Sequence, residues 1–359
     1  MSEHVRAALA SVVEGRTLSM DEARLAMGAV MDGEATPAQL AALLVALRMR
    51  GETVEELAGF ASAMRERVVR VEAPEGSIDV VGTGGDGSGT FNISTAAALL
   101  VASTGVPVAK HGNRAITSRS GSADVLEALG IRIDHDAQSA ASALRDIGFA
   151  FMFAPNFHPA MRHAGPTRRE IGIRTSFNLL GPLTNPAGAR RALIGVGDPS
   201  VAGRIAQVAA MLGTDRTLVV HGEGVDELPL DGTGVVHDVI GDASLTFSVD
   251  IDGLGLGRAP TSALAGGTAA ENAAIIESIF AGEAGPRRDV VLLNAGAALV
   301  AADVGTDLAD GIAAARNALE TGVPRDLLVR LRTEKVRADA PQAPGADSQA
   351  PATPAGNPA

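Results

Sequence analysis

The chain of 359 residues contains no cysteine. Disulfides, thiolate metal sites and cysteine nucleophiles are therefore excluded. Trp and Tyr are also absent, and Phe is the only aromatic, with nine copies. That leaves little for stacking nucleic-acid bases. Lysine occurs twice, at Lys110 and Lys335. Acidic residues outnumber Lys and Arg 42 to 30, for a formal net charge of −12. Broad binding to nucleic acid or to anionic membrane is disfavoured by that sign, and no basic run of five exists. No apolar run reaches the ~18 residues of a membrane span. The N-terminus, Met1 to Arg6, lacks the apolar core of a signal peptide. A cytoplasmic protein is expected. What remains is ordinary for a globular chain, 46% hydrophobic and 20% charged, and long enough for one large or two modest domains.

One further absence is local. Between Asp86 and Asp124 no acidic side chain occurs. The stretch opens on Gly82-Thr83-Gly84-Gly85-Asp86-Gly87-Ser88-Gly89 and passes through Asn92-Ile93-Ser94-Thr95. It then reaches Lys110-His111-Gly112-Asn113-Arg114 and closes on Ser118-Arg119-Ser120-Gly121-Ser122. Glycines, hydroxyls and a few cations without anions suit a phosphate-holding surface.

Residues 3–70 read as helices, with apolar positions three and four apart at Leu40, Leu43, Leu44 and Leu47. Thr36-Pro37 and Thr53 carry helix-start signals. A break at 71–76 is a candidate hinge. Strand patterns follow at Ile78–Val81, Val106–Ala109, Phe149–Phe153, Ala192–Val196 and Thr217–His221, separated by helical stretches that include about Ser94–Ser103 and Ser122–Leu129. Such alternation predicts an α/β fold with a mostly parallel sheet covered by helices. Gly234–Ile240 and Leu245–Val249 predict a hairpin across Gly241-Asp242. From Gly266 to about Leu331 the pattern is helical, and residues 336–359 have the composition of a disordered tail.

A loop leaving a strand exposes backbone N–H groups, and glycine lets that backbone curl around a phosphate. Gly82, Gly84 and Gly87 match the dinucleotide spacing, but the helix begins several residues late. No acid stands about twenty residues on to hold a ribose, and no Walker Gly-Lys-Ser/Thr occurs. Ser94 suits a helix N-cap as well as a phosphate site. Lys110 directly follows a predicted strand whose end faces the glycine loop. Asp226 and Glu227 follow the strand ending at His221, and adjacent carboxylates there suit Mg²⁺. His158 and His163 are spaced poorly for zinc on one helix face, and His221 and His237 read as core or edge residues. Arg168 has two readings, an ion pair with Glu170 or a clamp for a carboxylate substrate.

These motifs, with Ser120–Gly130 and Phe177-Asn178-Leu179-Leu180-Gly181-Pro182-Leu183-Thr184-Asn185-Pro186, resemble the anthranilate phosphoribosyltransferase family, from the N-terminal helices to about residue 333. The resemblance implies a small N-terminal helical domain (1–72, with a contribution from about 165–190) and a larger α/β domain (73–335) of the nucleoside phosphorylase/phosphoribosyltransferase type. It implies a homodimer that transfers phosphoribosyl from phosphoribosyl pyrophosphate to anthranilate with Mg²⁺, in tryptophan biosynthesis. By match, Gly82, Gly85, Asp86, Thr90, Asn92, Ile93, Ser94, Thr95, Lys110, His111, Gly112, Asn113, Arg114, Ala115, Ile116, Thr117, Ser118 and Ser122 hold phosphoribosyl pyrophosphate. Gly82, Asn113 and Arg168 contact anthranilate, and Ser94, Asp226 and Glu227 hold the metal. No side chain is marked as a general base. A pyrimidine nucleoside phosphorylase and a non-catalytic phosphoribosyl pyrophosphate-binding regulator are the competing readings.

Overall fold

The computed structural model describes residues 2–115, 119–222 and 224–340. Four helices come first: α1 (Glu3–Val13), α2 (Met20–Met31), α3 (Pro37–Arg50) and α4 (Val54–Glu66). Ser19, Thr36 and Thr53 each form a capping box with the Glu or Gln three residues on, which satisfies helix N–H groups that have no internal partner. The leucines of α3 point inward and are buried, as their spacing predicts. Buried Glu56 does more than cap: its Oε1 accepts from Leu18 N at 2.8 Å and its Oε2 meets Arg50, fixing the α1–α2 turn against α4.

Seven strands form one sheet in the order β3-β2-β1-β4-β5-β6-β7. They are β1 (Ile78–Gly82), β2 (Val108–Gly112), β3 (Phe149–Phe153), β4 (Arg191–Gly195), β5 (Arg216–His221), β6 (Gly234–Ile240) and β7 (Ala243–Val249). The first five are parallel, and β6 and β7 add an antiparallel hairpin at one edge. Between the strands lie α5 (Ile93–Ser103), α6 (Ser122–Ala128), α7 (Ala137–Asp146), α8 (Ala154–Phe157), α9 (Met161–Ile171), α10 (Phe177–Leu180) and α11 (Pro199–Met211). Four helices complete the fold: α12 (Ala269–Phe280), α13 (Pro286–Ala301), α14 (Leu308–Thr321) and α15 (Val323–Asp339).

The helices cover both faces. Helix α5, which follows β1, shares a core with α13, α14 and α15 and with Ile78, Val80, Leu193 and Val220 of the sheet. Helix α11, which follows β4, shares a second core with Ala192, Ile194 and Val219 and with the apolar faces of α1–α4, and a smaller third cluster lies around α7, β2 and β3. Phe177, Leu180 and Leu183 join that second core. Adjacent strands β1 and β4 therefore send their chains to opposite faces. The crevice this opens at their carboxyl ends is where ligands bind in open α/β sheets.

Two sequence expectations shift. The second strand begins at Val108, not Val106, because Pro107 has no N–H to give a ladder; it contributes only its carbonyl, which accepts from Ile78 N. It also runs on through Lys110 and His111 to Gly112, so Lys110 lies inside the strand rather than after it. At the other end, α15 continues past residue 336 to Asp339, where Lys335 Nζ meets Asp339 Oδ2 at 2.5 Å. Residues 341–359 of the expected tail lie outside the described residues.

Candidate active site

Strand β1 ends at Gly82, which pairs with Gly195 of β4. Both glycines are required by one neighbour. A Cβ at Gly82 would stand 2.5 Å from Asp226 Oδ2, and one at Gly195 would stand 1.6 Å from the Asp226 carbonyl. The two strand ends thus seat the loop that follows β5. Beyond Gly82 the chain turns through left-handed backbone at Gly84, Gly85, Gly87 and Gly89, a conformation that strains other residues. Gly84 N donates to Asp226 Oδ2 at 2.9 Å. Among the described residues the N–H groups of Gly85, Asp86, Gly87 and Gly89 have no protein acceptor. The loop returns where Thr90 pairs with Ala265 and Phe91 N donates to Leu264 O. Asn92 then anchors the start of α5: its Nδ2 donates to Ser120 O at 3.1 Å, and its Oδ1 accepts from Asn272 of α12 at 2.9 Å. Ile93, Ser94 and Thr95 form the first turn of α5, and Thr95 Oγ1 is buried without a partner. Free loop amides beside a helix N-terminus suit an anion.

Three acids meet here, Asp86 of the glycine loop and two from the loop after β5. Ligand oxygens of Asp86, Asp226 and Glu227 lie within 4.8 Å of one another. Asp226 N donates weakly to Asp86 Oδ2 at 3.4 Å. Glu227 is buried and its Oε2 has no hydrogen-bond partner. Asn294 of α13 grips the next residue from both sides, accepting from Leu228 N at 2.9 Å and donating to Leu228 O at 3.0 Å. Burial, then the charge of its neighbours, raises the pKa of Asp226 and raises that of Glu227 far more. No Lys or Arg forms an ion pair with any of the three among the described residues. Converging, desolvated carboxylates with an orphaned oxygen and no ion-pair partner fit Mg²⁺, a hard ion that takes such oxygens together with those of a substrate. Asp86, expected in the phosphate site, is thereby joined to the expected metal ligands Asp226 and Glu227.

The Lys110–Ser122 segment does several jobs. Lys110 is buried, and its Nζ donates to Val80 O at 2.5 Å. Burial lowers its pKa to about 8, against the opposing pull of Asp79, Glu227 and Asp226. Its charge therefore lies beneath the acid cluster rather than on the open surface. Asp79 accepts from His111 N at 3.1 Å and from Asn185 Nδ2 at 2.7 Å, and burial raises it to about 6. The His111 ring packs against His158 with centroids 5.0 Å apart. Burial, then that neighbour, lowers His111 to about 3, and burial lowers His158 to about 4. Both rings are neutral near pH 7, and both Nε2 atoms are buried without partners. Gly112 leads to Asn113, whose carbonyl accepts from Ser122 Oγ at 3.2 Å.

Arg114, expected in the phosphate site, has acidic partners in this structure. Its guanidinium is committed to Asp124 and Glu127 of α6, both at 2.9 Å. Asp124, the acid that closes the acid-free stretch, also accepts from Ala115 N and Gly121 N, so the pair shapes the loop. Ile116, Thr117 and Ser118 lie outside the described residues.

Arg168 of α9 is half-buried, with its guanidinium carbon 4.7 Å from the centre of the Phe177 ring. Among the described residues it forms no ion pair, with Glu170 or any other acid. Two residues apart on a helix do not face each other. Its planar fork is held but unengaged. Three buried amides support the site; Asn272 and Asn294 stand in no motif of the sequence, and Asn185 only in the Phe177–Pro186 motif. Asn185, Asn272 and Asn294 act across 66 to 180 residues of chain, and a buried amide in a helix or turn has no local pattern. Arg174 also stands in no motif of the sequence: its Nη1 donates to Gly84 O at 2.6 Å.

Two family models match the chain. The helical bundle domain of a glycosyl transferase family matches residues 6–68, and its a/b domain matches residues 75–324. The anthranilate phosphoribosyltransferase of Thermomicrobium roseum is 53% identical over 330 residues, covering 90% of this chain and 95% of the relative. The crystal structure of anthranilate phosphoribosyltransferase from Thermus thermophilus superposes with a TM-score of 0.87 at 46% identity, covering 92% of this chain and 99% of that one. The Saccharomyces cerevisiae enzyme in complex with PRPP and Mg superposes with a TM-score of 0.85 at 26% identity, covering 94% and 99%.

Proposed function

This chain belongs to the anthranilate phosphoribosyltransferase family, and from that premise we propose how its own residues carry out the transfer. The reaction moves the phosphoribosyl group of 5-phosphoribosyl 1-pyrophosphate to the amine of anthranilate, giving N-(5-phosphoribosyl)anthranilate and pyrophosphate in tryptophan biosynthesis. The assignment of roles rests on the crevice at the ends of β1, β4 and β5, where loop amides without acceptors lie beside three clustered carboxylates that have no ion-pair partner among the described residues.

The free N–H groups of the glycine loop and the first turn of α5 hold the phosphates. Asp86, Asp226 and Glu227, with Ser94 at the mouth of α5, hold Mg²⁺. When bound, that ion neutralises the pyrophosphate as its bond to the sugar breaks. The amides are aimed before the reaction starts, so they stabilise developing charge without reorganising. Lys110 adds a buried positive charge below. Arg168 presents a planar fork to the anthranilate carboxylate, and the amine then needs only to be placed against the anomeric carbon. No general base is assigned. We place the domain boundary near residue 72, with the segment around 165–190 packing with the helical part, as Phe177, Leu180 and Leu183 support. A cytoplasmic homodimer follows from the family resemblance.

The test mixes protein, Mg²⁺, phosphoribosyl pyrophosphate and anthranilate. Anthranilate fluorescence should fall, and pyrophosphate should appear in equal amount. Turnover of a pyrimidine nucleoside with inorganic phosphate and no metal would identify a phosphorylase instead. Tight binding of phosphoribosyl pyrophosphate without turnover would identify a regulator.

A further inference from the structure

Arg174 stands between α9 and α10, on the segment that also carries Arg168, and the reaction as derived above gives it no role. Its root is fixed. The two residues after it are buried, Thr175 N donates to Asn178 Oδ1 at 2.9 Å, and Ser176 Oγ donates to buried Glu52 of the helical part at 2.6 Å. Its side chain is exposed and reaches across the crevice to the glycine loop. Nη1 donates to Gly84 O at 2.6 Å, and Nη2 approaches Thr83 O at 3.4 Å.

The direction of those contacts matters. In a trans peptide the carbonyl and the following N–H point to opposite sides. The peptide from Thr83 to Gly84 shows this: its carbonyl faces Arg174 and its N–H meets Asp226 Oδ2 at 2.9 Å. In the next peptide the carbonyl of Gly84 is on Arg174, and the N–H of Gly85 points away with no acceptor among the described residues. Gly85 itself is fitted to this contact. Its φ is +71°, a left-handed conformation that favours glycine, and a Cβ there would displace the Arg174 guanidinium.

We propose that Arg174 is a positioning residue that holds the Thr83 and Gly84 carbonyls, so that the opposite side of the loop, above all the Gly85 N–H, is set toward a pyrophosphate group. The same latch ties the phosphate loop to the segment bearing Arg168. The inference rests on the reading of the crevice as a phosphoribosyl pyrophosphate site, and the experiment separates the two.

Inorganic pyrophosphate with Mg²⁺ is titrated by calorimetry into the wild type, Arg174→Ala and Arg174→Lys, beside melting curves and steady-state kinetics. Losing a charge-assisted contact that orients one donor should weaken pyrophosphate about tenfold in Arg174→Ala. Lysine, with a point charge and no fork, should restore only part of it. The kcat/KM for phosphoribosyl pyrophosphate should fall in parallel, while the anthranilate KM and the melting temperature stay near wild type. Unchanged pyrophosphate affinity in Arg174→Ala would overturn the latch. So would a selective rise in the anthranilate KM, which would make Arg174 a direct contact to the acceptor. A wild type that binds no pyrophosphate would instead overturn the reading of the crevice.

Discussion

Arg168 carries the sharpest expectation at the scale of single residues. It lies on the Phe177 ring with no acidic partner among the described residues, so its replacement breaks no ion pair. Arg168→Ala should leave the melting temperature close to wild type. Losing a bidentate carboxylate contact costs on the order of 1.5–3 kcal/mol, roughly a ten- to hundredfold rise in the anthranilate KM. The KM for phosphoribosyl pyrophosphate should move much less. Steady-state kinetics with each substrate varied in turn checks this, and an anthranilate KM within about twofold of wild type would remove the clamp. His158 gives a pH-dependent expectation. Its pKa is lowered from 6.5 to about 4 in the fold, so the unfolded chain takes up the proton first. The stability tied to its neutral ring is present above pH 6.5 and is lost as pH falls from there through 4. Asp79, raised to about 6, acts in the opposite direction, so the informative quantity is a difference. Melting temperature between pH 7 and pH 4 should decline less steeply in His158→Gln than in wild type. Equal slopes would contradict the assignment. The places of Gly82 at a strand end and of Asp226 and Glu227 in the loop after β5 were legible in the sequence, because strand, glycine turn and adjacent acids are local patterns. The commitment of Arg114 to α6 was not, since Asp124 and Glu127 become its neighbours only when the helix forms.

The loop after β5 is the telling case at the scale of elements. It gathers Asp226 and Glu227 against Asp86, on room made by Gly82 and Gly195, and Asn294 pins it from α13. The raised pKa values of Asp226 and Glu227 mean that burying their charges opposes folding in the metal-free protein. The double variant Asp226→Asn with Glu227→Gln should therefore melt no lower than wild type without metal. Its kcat should fall roughly a thousandfold or more, because charge neutralisation at the leaving group is worth several kcal/mol of transition-state stabilisation. Low activity together with a collapsed melting temperature would mean that the acids are structural. Elements with strong local signals, such as the capped helices α3 and α4 and the hairpin β6–β7, were predictable. Strand β2 was misjudged at both ends, by the donor missing at Pro107 and by polar residues whose partners lie on β1.

For the whole molecule, the two larger cores explain why the crevice forms at all. One holds α5 on its face of the sheet, and the other binds the helical part, α11 and the segment after α9 to the opposite face. The site lies where they part. Nothing in this scheme uses the end of the chain, since the last buried apolar residue of α15 is Leu331. Residues 341–359 are mostly Ala, Pro, Gly and Gln, with no large apolar side chain. Their deletion should leave activity and melting temperature unchanged, and a fall of more than about 5 °C would show that the segment packs. In the proposed mechanism three carboxylates and the glycine loop act together on a magnesium-bound substrate. Calorimetric titration of phosphoribosyl pyrophosphate, with and without Mg²⁺, into wild type and into the Asp226→Asn/Glu227→Gln variant tests it most directly. Wild type should bind tightly and weaken when Mg²⁺ is withheld, and the affinity of the variant should no longer respond to Mg²⁺. The same Mg²⁺ dependence in both proteins would contradict it.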